Sequence, residues 1–279
     1  MSGFSADWLA LREPADHRAR NPDLLTALQR RFAGRDTLSV VDLGCGAGSN
    51  IRALAPALPR RQRWRLIDHD RALLGVARER IARWGEVRED AGSELKVTRE
   101  GRDLTVAFQE ADLAADLDGA LAGAPHLVTA AALFDLVSPA WIERCVEAVV
   151  AQGAVFYTVL TYNGTETWHP PHPADAAIRA AFHAHQGGDK GFGPAAGPRA
   201  TDALAEAFSR AGYRVRSADS PWRLGAGDRA LIAELAEGTA RAVRETGQVP
   251  ETEIASWREA RLADATCVVG HTDLLAFPG

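Results

Sequence analysis

Val40-Val41-Asp42-Leu43-Gly44-Cys45-Gly46-Ala47-Gly48 is the stretch on which the fold turns. It closes an apolar, partly β-branched run, Leu38–Leu43, and breaks at once into three alternating glycines; Ser49 and Asn50 then open a helix. A run that apolar suits a strand buried inside a parallel sheet. The glycines behind it let the chain turn sharply and leave bare backbone for a ligand. The helix start that follows offers free N–H groups.

Working outward, Trp64–Ile67 predicts a second strand ending in Asp68, and Arg71–Trp84 a well-patterned helix. Glu94–Glu110 alternates around Gly101-Arg102-Asp103, a hairpin or extension leading into a third strand, Leu104–Phe108. Leu127–Leu133 predicts a fourth strand, Trp141–Val150 a helix and Ala154–Tyr162 a fifth strand. Strand and helix alternate through this region, which implies a parallel sheet with right-handed crossovers and helices on both faces. Upstream, Ser5 caps a short helix carrying Trp8, Leu9 and Leu11 that Pro14 is expected to stop, and Asn21-Pro22 opens another that Gly34 ends.

Downstream, Asn163–Gly197 is rich in Gly, Pro and His, with one helix near Ala174–His185, and lies within an irregular segment from Thr161 to Pro198. That is longer than compact domains leave without a purpose, and suggests a lid or binding loop. Thr201–Gly212 predicts a helix, Tyr213–Ser217 a strand, Asp228–Thr246 and Glu251–Ala263 two helices, and Thr266–Phe277 a last strand. The expected organisation is a single α/β domain: a helical cap 1–35, a core 36–162, a lid or acceptor-site insert 163–197, and a C-terminal part 198–279 that returns to the core.

Bulk properties bound the partners. With 279 residues, 46% of them hydrophobic, the chain has ample material for a core. The formal charge of −5, with arginines interleaved among acids, lacks the basic stripe that phosphate binding uses, so nucleic acid is not expected. Cys45, Cys145 and Cys267 show neither metal-ligand nor disulfide spacing. The N-terminal stretch meets charge too early for a secretory signal, and no apolar run reaches membrane-spanning length. A soluble, cytoplasmic protein is expected.

The G-x-G-x-G spacing after an acid discriminates between cofactors. A dinucleotide site takes G-x-G-x-x-G, and here Ser49 stands at the third glycine's place. Asp68 falls about 20 residues past Gly48, where a carboxylate can accept both ribose hydroxyls of either NAD or S-adenosylmethionine (SAM). Ala111-Asp112-Leu113 follows the third strand. This constellation resembles the class I SAM-dependent methyltransferases, of the bacterial small-molecule type. The resemblance implies a Rossmann-like, seven-stranded, mostly parallel sheet with an antiparallel last strand. It implies that Asp42, Gly44, Gly46 and Gly48 cradle the methionyl end of SAM, that Asp68 holds the ribose, and that Asp112 and Leu113 frame the adenine. The fourth strand often begins with Asp in that family, whereas here His126 stands before Leu127.

Methyl transfer from a sulfonium needs chiefly alignment, with a base where the acceptor must lose a proton. No Asn/Asp-Pro-Pro-aromatic motif follows the fourth strand and no cysteine stands as a cytosine-attacking nucleophile, which leaves a small-molecule acceptor. Candidate pocket residues are Tyr162, Trp168, His169, His172, His183, His185, Asp189, Lys190 and Phe192. His271 and Asp273, two apart on the last strand, are expected on one side of it. His185 is the candidate general base, because Gly187 and Gly188 after it suggest a hinge. His169, His172 and Asp175 fall short of the ligand geometry of a zinc site, so no metal is expected. One of Arg12, Arg18 and Arg20 suits the cofactor carboxylate. Two other readings stand beside this one: an NAD(P)-dependent oxidoreductase, and a SAM-binding protein without catalysis.

Overall fold

The computed structural model describes residues 4–279. Two helices precede the sheet, α1 (Ala6–Ala19) and α2 (Pro22–Phe32). The Ser5 hydroxyl accepts the Trp8 N–H to cap α1 at 3.1 Å, and the Asn21 side chain caps α2. Pro14 does not end α1; it lies inside the helix. A proline there forfeits a backbone bond. The helix runs on because Arg12 and Asp16 pair across that turn at 2.9 Å and Asp16 also accepts the Trp222 indole N–H at 3.0 Å.

The parallel core is built by β1 (Thr37–Leu43), β2 (Arg61–Asp68), β5 (Arg102–Glu110), β6 (Leu127–Ala131) and β7 (Val155–His169). Between them lie α3 (Ser49–Leu54), α4 (Arg71–Trp84), α5 (Leu117–Leu121) and α6 (Pro139–Ala151). The hairpin β3 (Glu86–Ala91) and β4 (Glu94–Arg99) extends the edge beside β5. After β7 come α7 (Asp175–Gln186), α8 (Ala200–Arg210), β8 (Tyr213–Asp219), β9 (Trp222–Leu224), α9 (Arg229–Thr246), α10 (Glu251–Leu262) and β10 (Thr266–Pro278).

The sheet runs β3-β4-β5-β2-β1-β6-β7-β10-β8, with β9 on β10. The seven core strands anticipated from the sequence are present, and β3, β4 and β9 bring the total to ten. β10 is antiparallel to both β7 and β8. One apolar layer gathers residues of α2, α3, α7, α9 and α10 against the sheet, and the other residues of α5, α6 and α8. Both faces are therefore covered, as a parallel sheet requires.

β7 runs to His169, past the Tyr162 at which its apolar run stops. Its polar second half, Asn163–Thr167, has no strand signature; it is held as strand because β10 pairs with it as far as Thr266 opposite His169. Midway, Leu160 takes φ +60 and its N–H leaves the ladder to bond Asp273 Oδ1 at 2.8 Å. Bulges in β10, between Val269 and His271 and between Thr272 and Leu274, match that kink. No helix among the described residues is long and apolar enough to cross a membrane.

Candidate cofactor and acceptor site

The glycine loop joins β1 to α3 at the carboxyl ends of the strands, the end where open α/β sheets bind ligands. Gly44, Gly46 and Gly48 take φ of +62, +50 and +72, left-handed values that a side chain would strain. A Cβ on Gly48 would fall 3.2 Å from that of Ala77, so this glycine also lets α4 approach.

Asp68 ends β2 beside the loop and is 6% exposed. Its Oδ2 accepts the Gly46 N–H at 2.8 Å and its Oδ1 the Asp70 N–H at 3.0 Å. One carboxylate thus fixes the middle of the loop and the start of α4. A carboxylate has about four acceptor positions, so capacity remains for ligand hydroxyls.

Asp42 lies under the loop with no exposure at all. Its Oδ1 accepts the Asn50 amide N–H at 2.7 Å, while Oδ2 is buried without a partner among the described residues. Burial pushes its carboxyl up to about 7. Asn50 Oδ1 in turn accepts Arg20 Nη1 at 2.9 Å, and the buried Arg20 Nε is unpartnered. A buried acceptor on Asp42 and a buried donor on Arg20, linked through one asparagine, fit a ligand carrying both a positive and a negative group. Of the other two N-terminal arginines, Arg12 is bound to Asp16 and Arg18 to Asp228 at 2.6 Å.

Asp112 is exposed and caps its own turn, accepting the Ala114 N–H at 2.9 Å. Leu113 is buried, and its carbonyl accepts the Trp141 indole N–H at 2.9 Å. Both follow β5, beside the end of β2. His126 stands at the opposite, amino end of β6, where its Nδ1 accepts the Ser39 N–H at 3.0 Å.

α1 roofs this region. A Cβ on Gly46 would meet the Leu9 side chain at 3.1 Å, and one on Gly44 would meet Leu133 at 3.3 Å. His17 lies 3.0 Å from the Ser49 hydroxyl, and Glu13 pairs with Arg52 at 2.5 Å. Further along the roof, Arg12 lies over the Trp222 ring at 5.1 Å, and Trp222 faces His271 at 5.0 Å.

The sequence candidates separate into groups. Tyr162 and His183 meet, hydroxyl to Nε2, at 3.0 Å, and Tyr162 faces His271 at 6.3 Å between ring centres. Burial and Arg12 push His271 down to about 3, so its imidazole is neutral. Asp273 braces the fold: it accepts from Leu160 and, at 2.9 Å, from the Asn21 N–H. Asp175 is likewise structural, accepting the Trp257 indole at 2.8 Å, the Arg261 guanidinium and the His172 N–H. Trp168 packs edge-on against Trp257 at 5.5 Å.

His185 turns away from these groups, its Nε2 lying 2.9 Å from Glu245 Oε2 on α9. Gly187 after it ends α7 with a helical backbone. Asp189 closes the following loop by accepting Gly191 and Gly193 N–H groups, which lays Phe192 on Trp141 at 5.2 Å. Lys190 Nζ donates to the His185 carbonyl at 3.3 Å.

Sequence reasoning overlooked Asn50, Asp135, Gln186 and Trp222. Asp135 carried a signal, as the single charge in the apolar stretch Ala130–Val137. Asn50, just past the glycine loop, reads only as opening a helix, and Gln186 and Trp222 had no signal, because their roles arise from contacts between distant segments.

No known family profile matches the chain, and neither does any curated protein. Solved structures do match. A cyclopropane-fatty-acyl-phospholipid synthase-like protein from Lactobacillus casei gives a TM-score of 0.53 at 15% identity, over 99% of this chain and 95% of the other. The YcgJ protein from Bacillus subtilis gives 0.51 at 12% identity over 93% and 100%, and the cyclopropane synthase MmaA2 from Mycobacterium tuberculosis 0.50 at 11% over 98% and 94%. The chain has the Rossmann-like fold of these structures, a mostly parallel sheet covered on both faces and closed by an antiparallel last strand. In that fold the glycine loop, Asp68 and the Asp112 turn all lie at the carboxyl ends of neighbouring strands, on β1, β2 and β5.

Proposed function

We propose that the chain binds SAM at the glycine loop and transfers its methyl group to a small-molecule acceptor. The observation that carries this reading is the bond from the Gly46 N–H to Asp68 Oδ2 at 2.8 Å, which makes the bare loop and the ribose carboxylate one unit. SAM supplies a methyl group already activated by the sulfonium. Asp68 would hold the ribose hydroxyls, Asp112 and Leu113 the adenine, and the glycines with Asp42 and Arg20 the methionyl end. The unpartnered Asp42 and Arg20 atoms support this, since they are the buried groups a methionyl ammonium and carboxylate would satisfy.

The other residues of the site orient and exclude water. Leu9 and Leu133 lie against Gly46 and Gly44 and would keep water from the loop. We assign the proton-transfer role away from His185, which faces Glu245. Against the nicotinamide alternative stands Ser49, whose hydroxyl is held by His17 where a dinucleotide loop has its third glycine.

Enzyme and passive binder separate in one experiment. The purified protein is incubated with methyl-labelled SAM and pooled small metabolites, and products are read by mass spectrometry. A labelled product formed only with the protein supports transfer. Tight SAM binding with no labelled product from any pool leaves a sensor and overturns the enzymatic reading.

A further inference from the structure

Beyond the cofactor loop, Asp135 Oδ1 and Gln186 Oε1 are buried without hydrogen-bond partners among the described residues, as is His271 Nδ1 on β10, opposite Tyr162 in β7. Their residues are 7%, 7% and 5% exposed. Asp135 and Gln186 are joined, Gln186 Nε2 donating to Asp135 Oδ2 at 3.0 Å. What the pair leaves free is two oxygens, hence two acceptors and no donor. Native proteins rarely leave such atoms unsatisfied, and those that do so commonly meet a ligand there.

The surroundings define what fits. Tyr162 and Trp222 flank His271, at 6.3 and 5.0 Å between ring centres. The guanidinium of Arg12 is already held twice by Asp16, at 2.9 and 3.2 Å. Asp135's hydrogen-bonded side-chain partner is therefore the neutral Gln186, with the Arg12 charge and the backbone N–H groups of Asp135 and Tyr162 also favouring its charged form. The cluster also adjoins the glycine loop: Leu133, two residues before Asp135, lies against Gly44, and Leu9, one turn before Arg12 on α1, lies against Gly46.

We propose that Asp135 and Gln186 form the acceptor subsite of the methyl-transfer site, and that the acceptor is a small amine with an apolar or aromatic body. The inference rests on the methyl-transfer reading. A hydroxyl has one proton to give and satisfies one of the two free oxygens, whereas an ammonium has up to three and satisfies both. A carboxylate out of water also favours a cationic partner. The Tyr162 and Trp222 rings suit the amine's body.

The step balances. The ammonium gives one proton to Asp135, which frees the nitrogen lone pair. That pair forms the N–C bond to the methyl carbon as the C–S bond breaks, its electrons passing to sulfur, and the proton on Asp135 later leaves to solvent. Burial pushes the Asp135 carboxyl up to about 6, which brings it toward the range in which a carboxylate accepts protons well.

The test is calorimetric titration of the full-length protein with phenethylamine, 2-phenylethanol and 3-phenylpropionate, with and without saturating S-adenosylhomocysteine. The wild type is expected to bind the amine more tightly than the alcohol and the acid. Asp135→Asn and Gln186→Leu are each expected to weaken amine binding at least about tenfold while keeping their affinity for S-adenosylhomocysteine. The proposal is overturned by no amine binding, by equal affinity for the alcohol or the acid, or by unchanged amine binding in both variants. S-adenosylhomocysteine binding without amine binding removes this proposal alone. Amine binding that depends on Asp135, with no S-adenosylhomocysteine binding, removes the methyl-transfer reading and keeps the amine site.

Discussion

Replacing Asp68 tests whether one carboxylate both shapes the loop and holds the cofactor. In the free protein it accepts two backbone N–H groups, Gly46 at 2.8 Å and Asp70 at 3.0 Å. Hydrogen bonds to a charged acceptor contribute about 1.5–3 kcal/mol each, so Asp68→Ala costs roughly 3–6 kcal/mol. At about 2–4 °C per kcal/mol for a chain near this size, the melting midpoint falls on the order of 10 °C. Asp70 also caps α4, accepting Ala72 and Leu73 N–H groups at 2.8 and 3.2 Å, so part of the loss passes into that helix. Binding of S-adenosylhomocysteine loses the ribose contacts in addition, at least about tenfold in Kd, or 1.4 kcal/mol. Asp68→Asn keeps one acceptor oxygen and should fall between, melting near the wild type while binding more weakly. Calorimetry and thermal melting on both variants provide the two numbers. An unchanged Kd in a folded Asp68→Ala protein would refute the ribose assignment; an unchanged midpoint would refute the bracing role.

Asp42, pushed up to about 7 by burial, holds its proton more tightly folded than unfolded, so its contribution to stability declines as pH rises from about 4 to about 7. His271, pushed down to about 3, acts in the opposite sense below about 6.5, so the readout is a difference: the midpoint of Asp42→Asn minus that of the wild type should grow between about pH 5 and 7, and a flat difference contradicts the burial argument. Arg20→Ala should weaken S-adenosylhomocysteine binding at least about tenfold by calorimetry, while Arg18→Ala, whose partner is Asp228, should leave it unchanged. Asp273→Ala strands the Leu160 and Asn21 N–H groups and should cost roughly 2–6 kcal/mol in denaturant unfolding; a loss below about 1 kcal/mol would show that the kink in β7 stands without it.

The parallel core was legible because each of its strands carries its own signal: Leu38–Leu43 is apolar throughout, and Arg71–Trp84 repeats with helical period. The loop and Asp68 were legible because glycine and a strand-end acid act close to where they stand in the chain. β3 was not, because all six of its residues are exposed and its strand character comes from pairing with β4. The second half of β7 was hidden for a related reason: Asn163–Thr167 is strand only because β10 lies alongside. Pro14 misled because a local rule was overridden by the Arg12–Asp16 pair and the Trp222 bond, the latter spanning 206 positions. The acceptor side suffered most. Its histidines were visible in the sequence, yet whether each turns inward, as His271 does, or outward to Glu245, as His185 does, depends on helices that are distant in the chain.

Whether the glycine loop holds SAM is read by thermal melting of the purified protein with SAM, S-adenosylhomocysteine, NAD and NADP. A ligand at about 100 times its Kd adds about 2.7 kcal/mol, a rise of several degrees for a chain of this size. That rise is expected with SAM or S-adenosylhomocysteine and not with either nicotinamide cofactor; a rise with NAD or NADP alone would mean that the loop holds a dinucleotide.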